Sequence, residues 1–340
     1  MKKLFLLLLL CVLPVFSQNW TKLSPYPGSQ QISCLYFYNT NLGFGVTSNG
    51  YVIRTSDGGS NWTEVYCGYP DVIQGVYFTS ESVGYACGYN LWILKTSDGG
   101  LTWQTLERTP GSLKGYQSMV FTDANTGYIV GYDGVIKKTI NAGVSWTSQT
   151  SGLTGTIETI LHLGGSTLIA IGDAQNVART TNGGSNWTLI NSGTFYSKQD
   201  AHSSDNTNIF AVCAGGYIAK STNAGVSWTA AASVITTQNI HAVHFTSASV
   251  GYIADATGDT WKTTDGGSSW TNITPVNKFF TLGIAFTSST KGFFGGYQGK
   301  LNTTTDAGAT WTNLNRGVSK EIYSSYFLNE NTGFIERVAQ

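Results

Sequence analysis

The chain has 340 residues, a formal net charge of zero and charged side chains at only 11% of positions. With charge so sparse and balanced, composition offers no basic stripe for nucleic acid or anionic lipid. Forty-one glycines, 13% aromatic residues and six prolines suit many short strands joined by tight turns, and no useful 3.6-residue period marks a helix.

The chain opens Met1-Lys2-Lys3, continues with the apolar run Leu4 to Leu10, and reaches Pro14-Val15-Phe16-Ser17. A basic start, an apolar run too short to span a bilayer and small residues near Ser17 read as a secretory signal peptide. Cleavage after Ser17 is expected, leaving residues 18–340 as a single domain that is secreted, periplasmic or at the cell surface. Cys11 offers a competing reading as a lipid-anchored cysteine, disfavoured by the bulky Leu10 before it. Loss of Lys2 and Lys3 takes the formal charge from 0 to −2. No second run of spanning length follows, so no transmembrane segment is expected.

From residue 55 onward an eight-residue box recurs seven times: Ser/Thr, any, Asp/Asn, Gly/Ala, Gly, two variable residues, Trp. The copies begin at Thr55, Thr96, Thr139, Thr180, Ser221, Thr263 and Thr304. They end at Trp62, Trp103, Trp146, Trp187, Trp228, Trp270 and Trp311, with spacings of 41 to 43 residues. A fixed period of this length marks a repeat architecture. The glycines permit positive φ and the carboxylate bonds backbone N–H groups ahead of it, so the box reads as a hairpin turn with a tryptophan filling the gap between hairpins. Asp57, Asp98, Asp265 and Asp306 stand where Asn141, Asn182 and Asn223 stand in other copies. An amide keeps the turn bonds and loses the charge a hard cation needs, so the box is a structural staple and no metal or cofactor is expected.

Each repeat divides into four apolar stretches, as in Gly75-Val76-Tyr77-Phe78, Gly84-Tyr85-Ala86-Cys87, Trp92-Ile93-Leu94-Lys95 and Thr102 to Leu106. Four-stranded antiparallel units repeated radially are the blades of an all-β propeller. Seven units are complete. Asn19-Trp20-Thr21-Lys22-Leu23 reads as an outer strand without its box, and Ile322 to Phe327 with Gly333-Phe334-Ile335 match two inner strands. Together they make a composite closing blade, giving eight blades, with seven as the alternative. The third strand of that blade is missing, so the sequence is open to being truncated. The fourth and fifth units are the most divergent, with Leu161-His162-Leu163-Gly164-Gly165 and Asp205 to Phe210 in place of a Phe-Thr-Ser signature.

These motifs are those of the Asp-box, or BNR, repeat. With the second signature at Phe78-Thr79-Ser80…Gly84-Tyr85 and Phe121-Thr122-Asp123…Gly127-Tyr128, and with Leu94 to Gly100, the unit resembles the photosystem II stability/assembly factor family. The resemblance covers residues 19 to about 335 and implies a β-propeller that binds on the face opposite its boxes. It also implies a basic surface for the partner, of which Arg108, Lys114, Lys198, Lys278, Arg316 and Lys320 offer only a scattered version.

On that opposite face the expected ligand-binding residues are Tyr89, Trp92, Tyr132, Asp133, Asp173, Tyr217, Asp255, Asp259 and Tyr297. Flat rings and short polar side chains suit a protein segment or a glycan. Packing against the next blade is the competing role for each tyrosine. The expected function is a secreted, non-catalytic interaction module, expected to be a monomer; an assembly factor for a membrane protein complex and a glycoside hydrolase are the alternatives. A sialidase-like site needs three converging arginines, and Arg54 and Arg179 occupy the slot before the box that Lys95, Lys138, Lys220 and Lys262 fill elsewhere. A two-carboxylate site would draw on Asp133, Asp173, Asp255 and Asp259. Cys34, Cys67, Cys87 and Cys213 remain after cleavage; a Cys67–Cys87 disulfide across blades and buried free thiols are both open. His162, His202, His241 and His244 read as core or surface residues rather than a metal site.

Overall fold

The computed structural model describes residues 32–39, 41–57, 63–173, 176–193, 196–230, 234–275, 278–279, 281–286, 288–296, 301–313, 325–329 and 332–335. Among them lie seven four-stranded antiparallel sheets and one two-stranded sheet, each built from consecutive strands. Blade 2 is representative, running Ile73–Phe78, Gly84–Gly88, Trp92–Thr96 and Gln104–Glu107. Its second strand is buried along its whole length, because strands flank both edges and neighbouring blades cover both faces. Its fourth strand keeps no fully buried residue.

The innermost strands are Ile32–Phe37, Ile73–Phe78, Tyr116–Phe121, Ile157–His162, Lys198–Ser203, Ile240–Phe245, Thr281–Phe286 and Ser325–Asn329. Each lies against the next, and Ser325–Asn329 touches both Thr281–Phe286 and Ile32–Phe37. The ring therefore closes at eight blades, the larger of the two counts expected from the repeats. The Asn19 to Leu23 strand of the closing blade and the end of the first box, Trp62 included, fall outside the described residues.

Blades are joined by one repeated device. The basic residue before each box donates to the carbonyl of the fourth residue in the next box. Arg54 bonds Gly99, Lys95 bonds Ala142, Lys138 bonds Gly183, Arg179 bonds Ala224, Lys220 bonds Gly266 and Lys262 bonds Ala307. The hydroxyls of Tyr85, Tyr128 and Tyr252 donate to the same carbonyls in three of these pairs. Arg54 and Arg179 are thus scaffold residues, as their slot suggested. Before the seventh box the slot holds Thr303, and the blade that follows carries no box in the sequence.

Aromatic rings complete the joint. Phe44, Tyr85, Phe210 and Tyr252, from second strands, stack on Phe78, Phe121, Phe245 and Phe286 of the following blade, with centroids 3.5–4.3 Å apart. The box tryptophans Trp103, Trp146, Trp270 and Trp311 meet those same phenylalanines edge-on. The fifth box residue must be glycine: its φ lies between +77° and +84° in the six described boxes, and in the second box a Cβ would lie 2.5 Å from the Phe44 ring.

The divergence of blades 4 and 5 has a volume explanation. In blades 2, 3, 6 and 7 the closing phenylalanine of the first strand lies across the glycine opening the second, where a Cβ would sit 2.4–2.5 Å from the ring. In blades 4 and 5 the phenylalanine position holds His162 and Ser203, and the glycine position holds Leu168 and Ile209, both fully buried. Bulk has moved from one strand to its partner, so the joint stays filled.

Inside each box the side chain at the third position organises the turn. Asp98 Oδ1 accepts the Thr102 N–H and its Oδ2 accepts the Thr102 hydroxyl; Asp265 with Ser269 and Asp306 with Thr310 repeat the pattern. In the third and fifth boxes Asn141 and Asn223 instead donate from Nδ2 to Ser145 and Ser227, the hydroxyl having turned round. Amide and carboxylate are therefore equivalent staples. The hydrogen bonds from Thr102 and Thr310 hold the Asp98 and Asp306 carboxyls down at about 2, and those from Ser269 hold Asp265 lower still. A depressed folded-state value stabilises the fold above the unfolded carboxyl value of about 4, and that contribution disappears as pH falls toward 2. Asp98→Asn should leave neutral-pH stability nearly unchanged and flatten its decline between about pH 4 and pH 2, read from thermal midpoints across that range.

Cys67, Cys87 and Cys213 are buried and none of them is in a disulfide, so the Cys67–Cys87 pairing is not formed. Burial pushes the Cys67 thiol up to about 12, which makes it unreactive.

Candidate partner-binding face

Strand direction sorts the connections into two faces. Boxes lie with the turns joining first and second strands, and their fourth residues bond those turns, as in Gly99 N–H to Ser82 O and Ala142 N–H to Asn125 O. The second-to-third strand turns lie with the linkers between blades on the other face. There Tyr89 N–H bonds Val72 O, Tyr132 N–H bonds Gly115 O, and Asp173 N–H bonds Thr156 O.

On this linker face two tyrosine pairs stand up. Tyr132 donates to the Tyr89 hydroxyl at 3.1 Å, and that bond, with burial, raises the Tyr132 phenol to about 12. Tyr196 and Tyr217 stack with centroids 4.1 Å apart. Tyr69, Tyr89 and Tyr196 are exposed, and Leu113 in the linker before blade 3 is almost wholly so. Beside the first pair a cleft of about 530 Å³ is lined by Leu91, Lys114, Tyr116, Tyr132, Asp133 and Leu153, among others.

Two of the expected ligand residues are not available to a ligand. Trp92 is fully buried, its indole N–H donating to Thr105 Oγ1 at 3.1 Å and its ring meeting Tyr69 edge-on. It opens a third strand, and neighbouring blades cover that strand. Asp255 is also fully buried and accepts from Thr236, Thr257 and the Asp259 N–H, so it shapes its own turn. Asp133 pairs with Lys114 and Asp259 with Lys278, while Asp173 accepts the Ser197 hydroxyl. Tyr297 falls outside the described residues. The eight described positions are thus spread over several blades, and the structure does not gather them into one site.

The cations of this face are matched as well. Arg108 forms an ion pair with Asp71 while lying 3.9 Å from the Tyr69 ring centroid, and Asn90 donates to the same carboxylate. Lys198 is buried where blades 1, 2, 4 and 6 have isoleucine, and burial lowers its affinity for a proton. Among the described residues Arg108, Lys114, Lys198 and Lys278 make no continuous basic patch; Arg316 and Lys320 lie outside them.

A larger depression of about 630 Å³ lies on the box face, lined by Asn39, Arg54, Glu81 and Asp98 among others. Its charged groups are already used: Arg54 holds Gly99, Asp98 holds Thr102 and Glu81 accepts from Asn39.

The residues that sequence reading missed are at the axis. Every innermost strand of blades 1 to 7 carries a register shift after its first residue, at positions 33, 74, 117, 158, 199, 241 and 282. A β-bulge re-aims the extra residue out of the ladder. First strands start at the linker face, so these positions form a rim round the axis at that end. Six consecutive ones are polar, Ser33, Gln74, Gln117, Glu158, Gln199 and His241, and the seventh is Leu282. The available signal was a polar residue directly after the apolar or buried residue that opens the inner strands of blades 1 to 6.

A model of the family described as photosynthesis system II assembly factor YCF48 matches residues 62–336. The chain belongs to this family. No curated protein matches it in sequence. Among solved structures, a YCF48 described as bound to a D1 peptide is similar at TM-score 0.64 and 22% identity, over 78% of this chain and 90% of that one. YCF48 from Cyanidioschyzon merolae is similar at TM-score 0.61 and 20% identity, over 83% and 95% of the two chains. The computationally designed Ika8 protein reaches TM-score 0.70 at 12% identity, covering 92% and 97%. At these identities the likeness is one of fold, and the span matched by the family model takes in six of the seven complete boxes.

Proposed function

We propose that this chain is a non-catalytic assembly factor whose linker face holds a segment of a partner protein. Family membership carries this reading, and it is supported by the peptide named with one related YCF48 structure. The carboxylates that a glycosidase would require are engaged in turns and ion pairs, which argues against that use of Asp133, Asp255 and Asp259. A glycan ligand has only the exposed tyrosine pairs in its favour.

Peptides selected from a random display library on the purified chain should lose several-fold in affinity on Tyr132→Ala and keep it on Asp306→Asn, a box-face change. Selected peptides that respond to the box-face change instead would overturn the orientation; a glycan array giving binding where no peptide binds would restore the sugar reading. We also propose export through the leader at residues 1–17. Mass spectrometry of the exported protein should find Gln18 at its N-terminus, and retention of Met1 would remove this part of the reading.

A further inference from the structure

The bulge ring is placed where a segment crossing the linker face would meet it, and its chemistry differs from the basic surface that the family resemblance implied. Gln117 and Glu158 come from neighbouring blades, and the Gln117 amide donates to Glu158 Oε2 at 3.0 Å. Because a carboxylate only accepts, the amide nitrogen is the atom turned to Glu158, and Gln117 Oε1 is left buried with no partner. One carboxylate and one unmatched carbonyl oxygen therefore adjoin. Glu158 is half-buried, and burial together with the nearby Asp173 carboxylate raises its proton affinity above the usual carboxyl range. A positive charge delivered to this point would relieve both effects.

The surroundings agree. Among the other polar rim residues, Gln74 and Gln199 are uncharged amides suited to bonding a peptide backbone. The imidazole of His241 is pushed toward its neutral form by burial. Lys198, which opens the next inner strand, is buried and interacts with Asp173, and the exposed cations of the face, Lys114 and Lys278, are already paired.

From this we infer that the Gln117–Glu158 junction on the bulge rim is a recognition point for a lysine, arginine or free amino group on an extended partner segment, with Gln74 and Gln199 bonding the backbone. The inference rests on the proposed peptide-holding role and adds the charge of the occupant: basic rather than acidic.

The test uses the purified chain and three series of fluorescent peptides sharing one neutral scaffold, carrying added lysine and arginine, no charge, or added aspartate and glutamate. The basic series should bind best and weaken as salt rises. Glu158→Gln should lower its affinity about tenfold, the scale of one charge-assisted hydrogen bond, with the neutral series little changed. Gln117→Leu should also weaken the basic series, and thermal midpoints of both variants check that the ring is intact. Preference for the acidic series, or a basic series indifferent to Glu158→Gln, would overturn the inference and leave the peptide-holding role standing. Failure of all three series to bind would overturn that role and the inference with it.

Discussion

Gly84→Ile should be among the most destabilising single changes in the molecule, by about 3 kcal/mol or more, because even a Cβ there would lie 2.5 Å from the Phe78 ring. Phe78→Ser alone should cost about 3–5 kcal/mol, since Phe78 is buried, stacks on Phe44 and meets Trp103 edge-on. The double variant reproduces the pair that blade 5 already uses, Ser203 with Ile209. It should therefore cost less than the two singles together, by on the order of 2 kcal/mol. Equilibrium denaturation of the wild type and three variants measures this coupling. Additive losses would show that the exchange of volume in blades 4 and 5 depends on further neighbours, such as Ile169 in the place of Phe44.

The second large effect is expected at a box. Trp270→Ala should cost about 3–5 kcal/mol, because the indole fills the joint against Phe245. Its buried N–H has no hydrogen-bond partner, a property shared by Trp103, Trp146, Trp187, Trp228 and Trp311. The ring is therefore held by packing, and Trp270→Phe should recover most of the loss. Peptide binding should survive both changes at low temperature, since the box lies on the face away from the tyrosine pairs. Loss of binding by a variant whose circular dichroism is native would place function at the boxes and reverse the assignment of faces.

Both effects concern the part of the molecule most legible from residues alone. The box recurs because its turn needs glycine at one backbone position and a hydrogen-bonding side chain at another, and such local requirements leave the same letters in every copy. The blade count was harder, since closure depends on Ser325–Asn329 meeting Ile32–Phe37 across nearly the whole length of the chain. Trp92 and Asp255 were misplaced for a related reason. Each stands near a turn in the sequence, but burial at a strand end is decided by which blade lies beside it. The bulge rim was hidden because a register shift has no fixed residue type: glutamine, glutamate and histidine all occupy it, and only their common offset from the strand start marks them.

The joint between blades also runs one way. Lys95 and Tyr85 make their bonds to Ala142, a residue synthesised later, and the same order holds at five other joints between Arg54 and Lys262. A chain emerging from the ribosome would complete each of these joints only when the hairpin that follows has emerged. A stall during translation should then leave the joint at its newest hairpin without these bonds, while the earlier joints already hold theirs.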